Sequence, residues 1–190
     1  MREKLEAYLR LSKVFSTHQF HLYLVGGCVR DTLLKKEFTD VDLATDATPE
    51  EISKFFPDVD LTFSKYGSTR LTFDEQKFEI TTFRIEKGYG DSRHPTSIKF
   101  TKDLKKDVVR RDFTINGLYF DDRFILYDYV KGQKDIEKHL IRAIGKPTKR
   151  FIEDPLRIIR AVRFALTLDF EIENKYVKAK KGLTGAQRGN

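Results

Sequence analysis

The pattern of apolar and polar residues predicts a mixture of helices and strands in the first part of the chain. Apolar positions with helical spacing occupy residues 2–15, and the short apolar run FHLYLV that follows is typical of a buried strand. Gly26 and Gly27 end this run, and CVRDTLLKK has the pattern of a short helix.

The segment TDVDLAT is predicted to be a strand with one acidic and one apolar face. Because successive side chains of a strand point to opposite sides, Asp40 and Asp42 are expected on one face and Val41 and Leu43 on the other. A helix is predicted directly afterwards, because TPEE combines a capping threonine, a proline in the first turn and a capping-box glutamate.

A hairpin is predicted within residues 60–84, where STRLTFD and KFEITTFR flank a polar turn at residues 74–77. In its second strand, Glu79 is expected on the face opposite Phe78 and Ile80.

The second half of the chain is predicted to contain a loop, further helices and a second hairpin. Residues 85–97 are rich in glycine and polar groups and are expected to form a long flexible loop. A basic helix is expected near residues 102–111, a short helix near FTINGL, and a hairpin at LYFDDRFILYDYV. The clearest helix begins at Asp154-Pro155 and carries an apolar stripe formed by Leu156, Ile159, Val162 and Leu166.

These elements predict an α+β fold, with a mixed, mainly antiparallel sheet of about five strands covered by helices over residues 1–140. Helices are expected to continue from about residue 147. Residues 175–190 contain five Lys or Arg and no acidic residue, and we expect this basic tail to be disordered.

Composition narrows the classes of protein that this chain can belong to. The 190 residues include 36 Lys and Arg against 29 Asp and Glu, a net charge of +7, which makes a polyanionic partner plausible. A single cysteine excludes a disulfide framework. No apolar run approaches the ~20 residues of a membrane span, and the N-terminus lacks an apolar signal core, so we expect a cytoplasmic protein.

The strongest chemical signal is the pair Asp40 and Asp42 after Gly26-Gly27 and Arg30. Two carboxylates on one strand face can hold Mg²⁺, which prefers oxygen ligands and leaves positions open for phosphate and water. Two glycines between a strand and a helix leave room for a phosphate to approach the backbone N–H groups at the helix start. The alternative is an exposed strand end followed by an ordinary turn, but the combination favours a metal site.

Glu79 is a candidate third metal ligand, because it lies on a later strand and faces away from the apolar residues. A solvated strand glutamate explains the same pattern, and the sequence leaves both interpretations open.

A third motif, RRDFTINGL, supplies Arg110 and Arg111 as donors to phosphate or ribose oxygens, and Asp112 as an acceptor for a sugar hydroxyl or a partner that orients the arginines. The alternative is a basic helix C-terminus followed by a helix cap at Asp112.

In the fourth motif, EDPLRIIRAVRF, Asp154 and Arg157 lie three residues apart and offer one acceptor and a planar set of donors. Such a pair can read the hydrogen-bonding edge of a nucleobase, although Asp-Pro is also a common helix start. Arg160 and Arg163 flank the pair and are candidates for contacting RNA phosphates or supporting the fold.

These motifs, GGCVRD, TDVDLAT, RRDFTINGL and EDPLRIIRAVRF, occur in an order that resembles the N-terminal part of class II tRNA nucleotidyltransferases and bacterial poly(A) polymerases. The resemblance spans about residues 20–172. It implies a nucleotidyltransferase head over residues 1–140 and the start of a helical neck over 141–174, whereas the basic tail over 175–190 resembles no part of the family. Gly117 stands where the family often has alanine.

The resemblance also implies roles for individual residues. Asp40 and Asp42 would be the catalytic metal ligands, and Asp154 and Arg157 would read the incoming base with support from Glu153. The implied nucleotide-binding set comprises Gly26, Gly27, Arg30, Arg110, Arg111, Asp112, Asn116, Asp154, Arg157 and Arg160, while Arg163 is a candidate RNA contact. Residues 85–97 would correspond to the family's flexible loop.

The activity that the resemblance implies is template-independent, Mg²⁺-dependent addition of C, A or both to the 3′ end of tRNA from CTP and ATP, with release of pyrophosphate. Poly(A) synthesis shares these motifs and remains an alternative. Members of the family continue with helices that hold tRNA, whereas this chain ends soon after LTLDFEIENK. A second alternative is therefore one half of a split enzyme, an RNA-binding module that needs a helical partner chain or a homo-oligomer.

Overall fold

A computed structural model describes residues 1–89 and 95–174 of the chain. Its helices are α1 (Arg2–Thr17), α2 (Gly27–Leu33), α3 (Pro49–Phe55), α4 (Leu104–Val109), α5 (Gly132–Glu137), α6 (Pro147–Glu153) and α7 (Leu156–Leu168). Its strands are β1 (Leu22–Val25), β2 (Asp42–Thr45), β3 (Ser68–Phe73), β4 (Gln76–Thr82), β5 (Arg84–Tyr89), β6 (Pro95–Phe100), β7 (Leu118–Phe120), β8 (Leu126–Asp128), β9 (Leu140–Ile141) and β10 (Glu171–Ile172).

The main sheet has six strands in the order β3-β4-β2-β1-β7-β8. Only β2 and β4 pair in parallel, and the other neighbours are antiparallel. The predicted α+β fold with a mixed, mainly antiparallel sheet is therefore confirmed. The sheet has one strand more than the predicted five, because both arms of the hairpin at LYFDDRFILYDYV join it as β7 and β8.

Helix α1 covers the sheet and closes the main core. Its buried face presents Tyr8, Leu11 and Phe15, all with no exposed surface. The buried Tyr8 hydroxyl donates a hydrogen bond to the carbonyl of Leu22 in β1 at 2.8 Å, so the polar end of the ring is satisfied inside the core. This packing fixes β1, the strand that neighbours β2.

Two local predictions are confirmed, the second with a shorter turn than expected. Thr48 caps α3, and its side chain accepts from the backbone N–H of Glu51 while the Glu51 carboxylate accepts from the Thr48 N–H. The β3–β4 hairpin forms with a tighter turn than predicted: only Asp74 and Glu75 connect the strands, and both adopt left-handed backbone angles.

The prediction of a loop at residues 85–97 is wrong for the part that the structure describes. β5 and β6 pair as an antiparallel ribbon from Arg84 and Phe100 onward. The polar sequence lacks apolar alternation, so backbone hydrogen bonds, which no side-chain pattern reveals, define these strands. Residues 90–94, and the predicted tail at 175–190, lie outside the described residues.

The apolar stripe predicted for the long helix lies on the outside of α7. Its members are exposed by 37% to 79%: Val162, Leu156, Ile159 and Leu166, in order of increasing exposure. The helix instead buries Arg157, Ala161 and Leu168. Amphipathic spacing predicts that one helix face is apolar, but it does not say whether another element covers that face.

No helix among the described residues combines the length and the hydrophobicity that crossing a lipid bilayer requires.

The orientation of α7 predicts that alanine substitution of two leucines in the same helix lowers the free energy of unfolding by very different amounts. Leu168→Ala should lower the free energy of unfolding by about 2–5 kcal/mol, because it opens a cavity in the core. Leu166→Ala should change it by less than about 0.5 kcal/mol, because that side chain is 79% exposed. Urea unfolding followed by circular dichroism measures both, and equal effects would contradict the observed helix orientation.

Candidate functional site

A cleft of about 630 Å³ opens beside the start of β2. The predicted site residues that line it are Gly26, Gly27, Arg30, Asp40, Asp42, Arg110, Arg111, Asp112, Asn116, Asp154, Arg157, Arg160 and Arg163. Only Glu79 and Glu153 of the predicted set do not line this cleft. Four motifs that are distant in sequence thus meet in one place.

The two aspartates enter the cleft because their neighbours are anchored in the core. Val41 and Leu43 are 4% and 1% exposed, whereas Asp40 and Asp42 are exposed. The predicted strand is shorter than expected: β2 begins at Asp42, so Asp40 precedes it. The predicted alternation between buried and exposed side chains nevertheless holds for all four residues.

The carboxylates repel one another. Desolvation raises the pKa of the Asp42 carboxyl, and the negative charges of Glu79 and Asp40 raise it further. Such an arrangement favours a bound cation, which would offset the repulsion. Two carboxylates suffice for Mg²⁺ when substrate phosphates supply further oxygens.

Glu79 lies beside Asp42, because β4 pairs in parallel register with β2 and aligns the two residues. One carboxylate oxygen of Glu79 accepts from the Ser68 hydroxyl at 3.0 Å, and the other lies 3.9 Å from Arg70 Nε. Within the described part of the chain, no group of three or more His, Cys, Asp or Glu side chains is arranged to hold a metal ion. The role of Glu79 as a third ligand therefore stays a prediction.

The glycine turn and Arg30 form the wall next to β1. Gly26 adopts a φ of +77°, a conformation that strains other residues, and its N–H donates to the Leu118 carbonyl. The Arg30 side chain is fixed by hydrogen bonds to Asp31 at 2.9 Å and to the Asn116 amide oxygen at 2.7 Å. Its guanidinium also lies 5.2 Å from the centre of the Phe164 ring.

Asp107 holds both arginines of the RRD motif, a role that sequence analysis missed. The carboxylate is fully buried and accepts from Arg110 Nε at 2.9 Å, Arg111 Nη2 at 3.1 Å and the Tyr119 hydroxyl at 2.5 Å. It also accepts from the backbone N–H of Arg84 at 3.0 Å. The spacing of three and four residues before the two arginines is a signal that could have identified it.

The arginines determine the charge state of this buried group. Burial alone would raise the pKa of Asp107, but the charges of Arg111 and Arg110 and the hydrogen bond from Tyr119 lower it to about 2. The carboxylate is therefore charged at neutral pH and keeps the two guanidinium groups in place.

Asp112 faces α7 and does not cap the following turn, whose N-cap is Phe113. One Asp112 oxygen accepts from the Phe113 N–H at 2.6 Å, and the other lies 2.5 Å from Arg160 Nη2. The third and fourth motifs are thus joined by an ion pair.

Glu153 acts behind the cleft wall. Its carboxylate accepts from Arg150 at 2.8 Å and from Arg157 at 3.4 Å. These two arginines reach back to the carbonyls of Arg111 and Arg110, at 2.6 Å and 3.2 Å respectively. Glu153 therefore lies in contact with Arg157, and its role in base reading stays a prediction.

Asp154 and Arg157 both line the cleft but belong to different elements. Asp154 is the C-cap residue that follows α6 and accepts from the backbone N–H of Leu156, whereas Arg157 lies in the first turn of α7. The separation does not prevent both side chains from facing one ligand, since both border the same cavity.

Sequence analysis also missed Arg84 and Glu86, which line the cleft from the end of the predicted hairpin and the start of the segment expected to be a loop. Their side chains form an ion pair at 2.7 Å, and Glu86 lies 3.8 Å from Arg110 Nη1. Arg84 additionally donates to the carbonyl of Tyr66. The ribbon β5–β6 is therefore joined to the arginine cluster at its base.

The cleft contains two sets of charged side chains, and each set suits a different kind of ligand. Seven arginines line it and suit a polyanionic ligand: Arg30, Arg84, Arg110, Arg111, Arg157, Arg160 and Arg163. The aspartate pair suits a divalent cation. A ligand that carries several phosphates and binds a metal ion, such as a nucleoside triphosphate, matches both.

Comparison with known proteins agrees with this arrangement. A family model described as "Poly A polymerase head domain" matches residues 22–142. A CCA-adding enzyme from Bacillus licheniformis is 42% identical over 171 residues, which cover 90% of this chain and 43% of that protein. The chain thus spans less than half of the length of this relative.

Solved structures show the same likeness. The Bacillus stearothermophilus CCA-adding enzyme in complex with CTP has a TM-score of 0.83 and 34% identity, over 92% of this chain and 42% of that one. A tRNA nucleotidyltransferase complexed with a primer tRNA and an incoming ATP analog has a TM-score of 0.72 and 33% identity, over 93% and 50%.

The buried network predicts a stability that depends on Asp107 and on pH. Asp107→Asn should lower the free energy of unfolding at pH 7 by about 3–5 kcal/mol, because it leaves buried guanidinium charge uncompensated. The folded-state pKa of about 2 lies below the ordinary value of 3.8, so this stabilisation is complete above pH 4 and is lost as pH falls towards 2.

Urea titrations of the unchanged chain and of Asp107→Asn between pH 7 and pH 2 measure this difference. Asp103→Asn is the matched control, because Asp103 caps the same helix from an exposed position and asparagine caps equally well. A difference that does not decrease below pH 4 would contradict the proposed role of the Asp107 charge.

Proposed function

The chain belongs to the poly(A) polymerase head-domain family, and from this we propose that it transfers nucleotides, C, A or both, from CTP and ATP to the 3′ end of tRNA. The observation that carries the proposal is the meeting of Asp40 and Asp42 with the arginines of three separate motifs in one cleft. The reaction releases pyrophosphate and needs no template, because protein side chains select the base.

Sequence similarity to a curated protein and structural similarity to solved enzymes both support this function. The Bacillus licheniformis relative is a CCA-adding enzyme, and the structural neighbours include an enzyme with CTP and one with a primer tRNA and an ATP analog. The region shared with these proteins contains all the residues to which we assign a role.

Asp40 and Asp42 would hold Mg²⁺, and Glu79 is the candidate for a third ligand. When bound, Mg²⁺ supplies charge that neutralises the triphosphate and lowers the pKa of the RNA 3′ hydroxyl. The raised pKa of Asp42 fits this assignment, because a cation would stabilise the charged form of the carboxyl.

The arginines would bind the nucleotide and orient it. Arg110 and Arg111, fixed by Asp107, donate to phosphate or ribose oxygens, and Arg30 and Asn116 border the same space. Asp112, which forms an ion pair with Arg160, would accept from a sugar hydroxyl. Because these groups are fixed before the ligand binds, little reorganisation accompanies the reaction.

Asp154 and Arg157 would read the base. Arg157 is held by Glu153 and by the Arg110 carbonyl, so its guanidinium plane has a defined direction. Arg163, exposed at the cleft rim, would contact RNA. In this assignment residues 1–140 form the catalytic head, residues 141–174 begin a neck, and the protein works in the cytoplasm.

A specific observation favours a second possibility, that the chain is one part of an enzyme and needs a helical partner or a second copy. The stripe on α7, formed by Leu156, Ile159, Val162 and Leu166, is an uncovered apolar helix face among the described residues. A partner helix with an apolar face of similar length would cover it.

The proposed function predicts that Asp42→Asn lowers nucleotide incorporation by about 10²–10³-fold or more, because a charge that acts on the transition state is lost. CTP binding should change little, since the arginines remain. The assay supplies tRNA that lacks its 3′ CCA and radiolabelled CTP or ATP, with and without Mg²⁺. Asp169→Asn, an equally conservative change at an exposed position that does not line the cleft, should leave incorporation unchanged.

Full incorporation by Asp42→Asn would contradict the metal assignment. Product length separates the activities: C followed by A indicates CCA addition, and long tracts from ATP alone indicate poly(A) synthesis.

The partner hypothesis has its own test. If the purified chain is inactive, adding the part of the Bacillus licheniformis protein outside the matched segment should restore incorporation. Ile159→Asp should abolish this restoration without unfolding the chain, because Ile159 is 64% exposed. Full activity of the chain alone as a monomer would exclude the need for a partner.

A further inference from the structure

An aromatic ring in the cleft wall, that of Phe164, lies among three arginine side chains. The guanidinium carbons of Arg30, Arg163 and Arg160 lie 5.2 Å, 5.4 Å and 5.9 Å from the centre of this ring. Each distance is within the range of about 6 Å over which a cation and an aromatic face attract one another. These four residues, which all line the cleft, are called the ring cluster below. Sequence analysis identified its arginines but not Phe164.

The ring is held in place by the core and by its own helix. Phe164 follows Arg160 by four residues in α7, so the two side chains are neighbours on the helix surface. The ring also contacts the fully buried ring of Phe113 edge to face, with centres 6.0 Å apart and planes at 84°. Because Arg30 reaches the same ring from α2, the ring cluster joins two helices that are distant in the sequence.

The ring cluster contains cations that repel one another, together with groups that offset this repulsion. Arg30 Nε donates to the Asp31 carboxylate at 2.9 Å, and Arg160 Nη2 lies 2.5 Å from a carboxylate oxygen of Asp112. Each of these carboxylates pairs with one arginine of the cluster, whereas the ring lies within cation–π distance of all three. The ring is therefore the group that the three arginines share.

The charge that remains suits the phosphate groups of a ligand. Three guanidinium groups against two carboxylates leave a net positive charge at this wall of the cleft. A guanidinium group binds phosphate oxygens through a planar set of donors, so its orientation decides how many hydrogen bonds it makes. Fixing that orientation before binding lowers the entropy that is lost when the ligand binds.

We propose that Phe164 is a positioning residue, whose ring orients Arg30 and Arg160 towards the phosphates of the nucleoside triphosphate. The proposal rests on the proposed function and adds to it a residue that acts through the arginines. The alternative role for Phe164 is packing against the core, which an apolar leucine would largely preserve. The two roles differ in what the loss of the ring does to phosphate binding.

The test measures the binding of CTP and CMP to the full chain by isothermal titration calorimetry. Phe164→Leu should weaken CTP binding about fivefold, because the guanidinium groups lose an attraction that fixes their orientation. It should weaken CMP binding by less than about twofold, since CMP lacks the β- and γ-phosphates. Phe164→Tyr keeps the aromatic face, so its affinity for CTP should stay within about twofold of that of the unchanged chain.

The incorporation assay gives a second measurement. Phe164→Leu should raise the KM for CTP about fivefold and leave kcat within about twofold, because Asp40 and Asp42 are unaltered.

Phe55→Leu is the matched control. Phe55 is partly buried like Phe164 and contacts Phe15 edge to face at 5.2 Å, but it does not line the cleft. Both leucine variants should lower the melting temperature, whereas only Phe164→Leu should alter CTP binding. If Phe164→Leu does not melt cooperatively, Phe164→Met takes its place, since methionine fills apolar space without a ring.

Inorganic tripolyphosphate separates this inference from the proposed function. A chain that incorporates no nucleotide would refute the proposed function, but tripolyphosphate binding that weakens in Phe164→Leu would still support the role of the ring. Equal weakening of CTP and CMP binding, or a Phe164→Tyr variant as weak as Phe164→Leu, would overturn that role. Unchanged CTP affinity in Phe164→Leu, even with weaker RNA binding, would also overturn it, as would failure of the unchanged chain to bind either CTP or tripolyphosphate.

Discussion

The packing of Val41 and Leu43 into the core is the constraint on which the site depends. Their burial leaves Asp40 and Asp42 no orientation except towards the cleft, although the two carboxylates repel one another. The hydrophobic free energy of two buried side chains, roughly 1.5–3 kcal/mol each, exceeds a repulsion between exposed charges of about 1 kcal/mol. The fold thereby maintains a concentration of negative charge that a divalent cation can offset.

The arginines on the opposite wall are kept in place by a different force. Arg110 and Arg111 are largely buried, and guanidinium groups lose hydration when they leave water. Asp107 compensates this loss with one charge and with one hydrogen bond accepted from each guanidinium group. It also accepts from the Tyr119 hydroxyl and from the Arg84 N–H at the start of β5. Stability and preorganisation of the ligand-binding wall thus have the same physical origin.

Local sequence patterns predicted those features that depend on neighbouring residues. The exposure of Asp40 and Asp42 follows from strand alternation, and the start of α3 follows from its capping box. The β5–β6 ribbon was not predictable in this way, since polar residues on both faces hide a strand. The stripe on α7 was predicted as a pattern, but its exposure depends on which other elements pack there.

The candidate site likewise contains some features that local sequence patterns predict and others that depend on contacts between distant residues. The motifs identified nearly all the cleft residues, because they carry unusual combinations of charge and glycine. Arg84 and Glu86 were missed because their importance arises from contacts with distant parts of the chain. Arg150 and Arg157 attach the last two helices to main-chain carbonyls, which every amino acid possesses. This attachment is therefore independent of the side chains of Arg110 and Arg111, so replacing either would leave the accepting carbonyl in place, whereas replacing Arg150 or Arg157 would remove the donor.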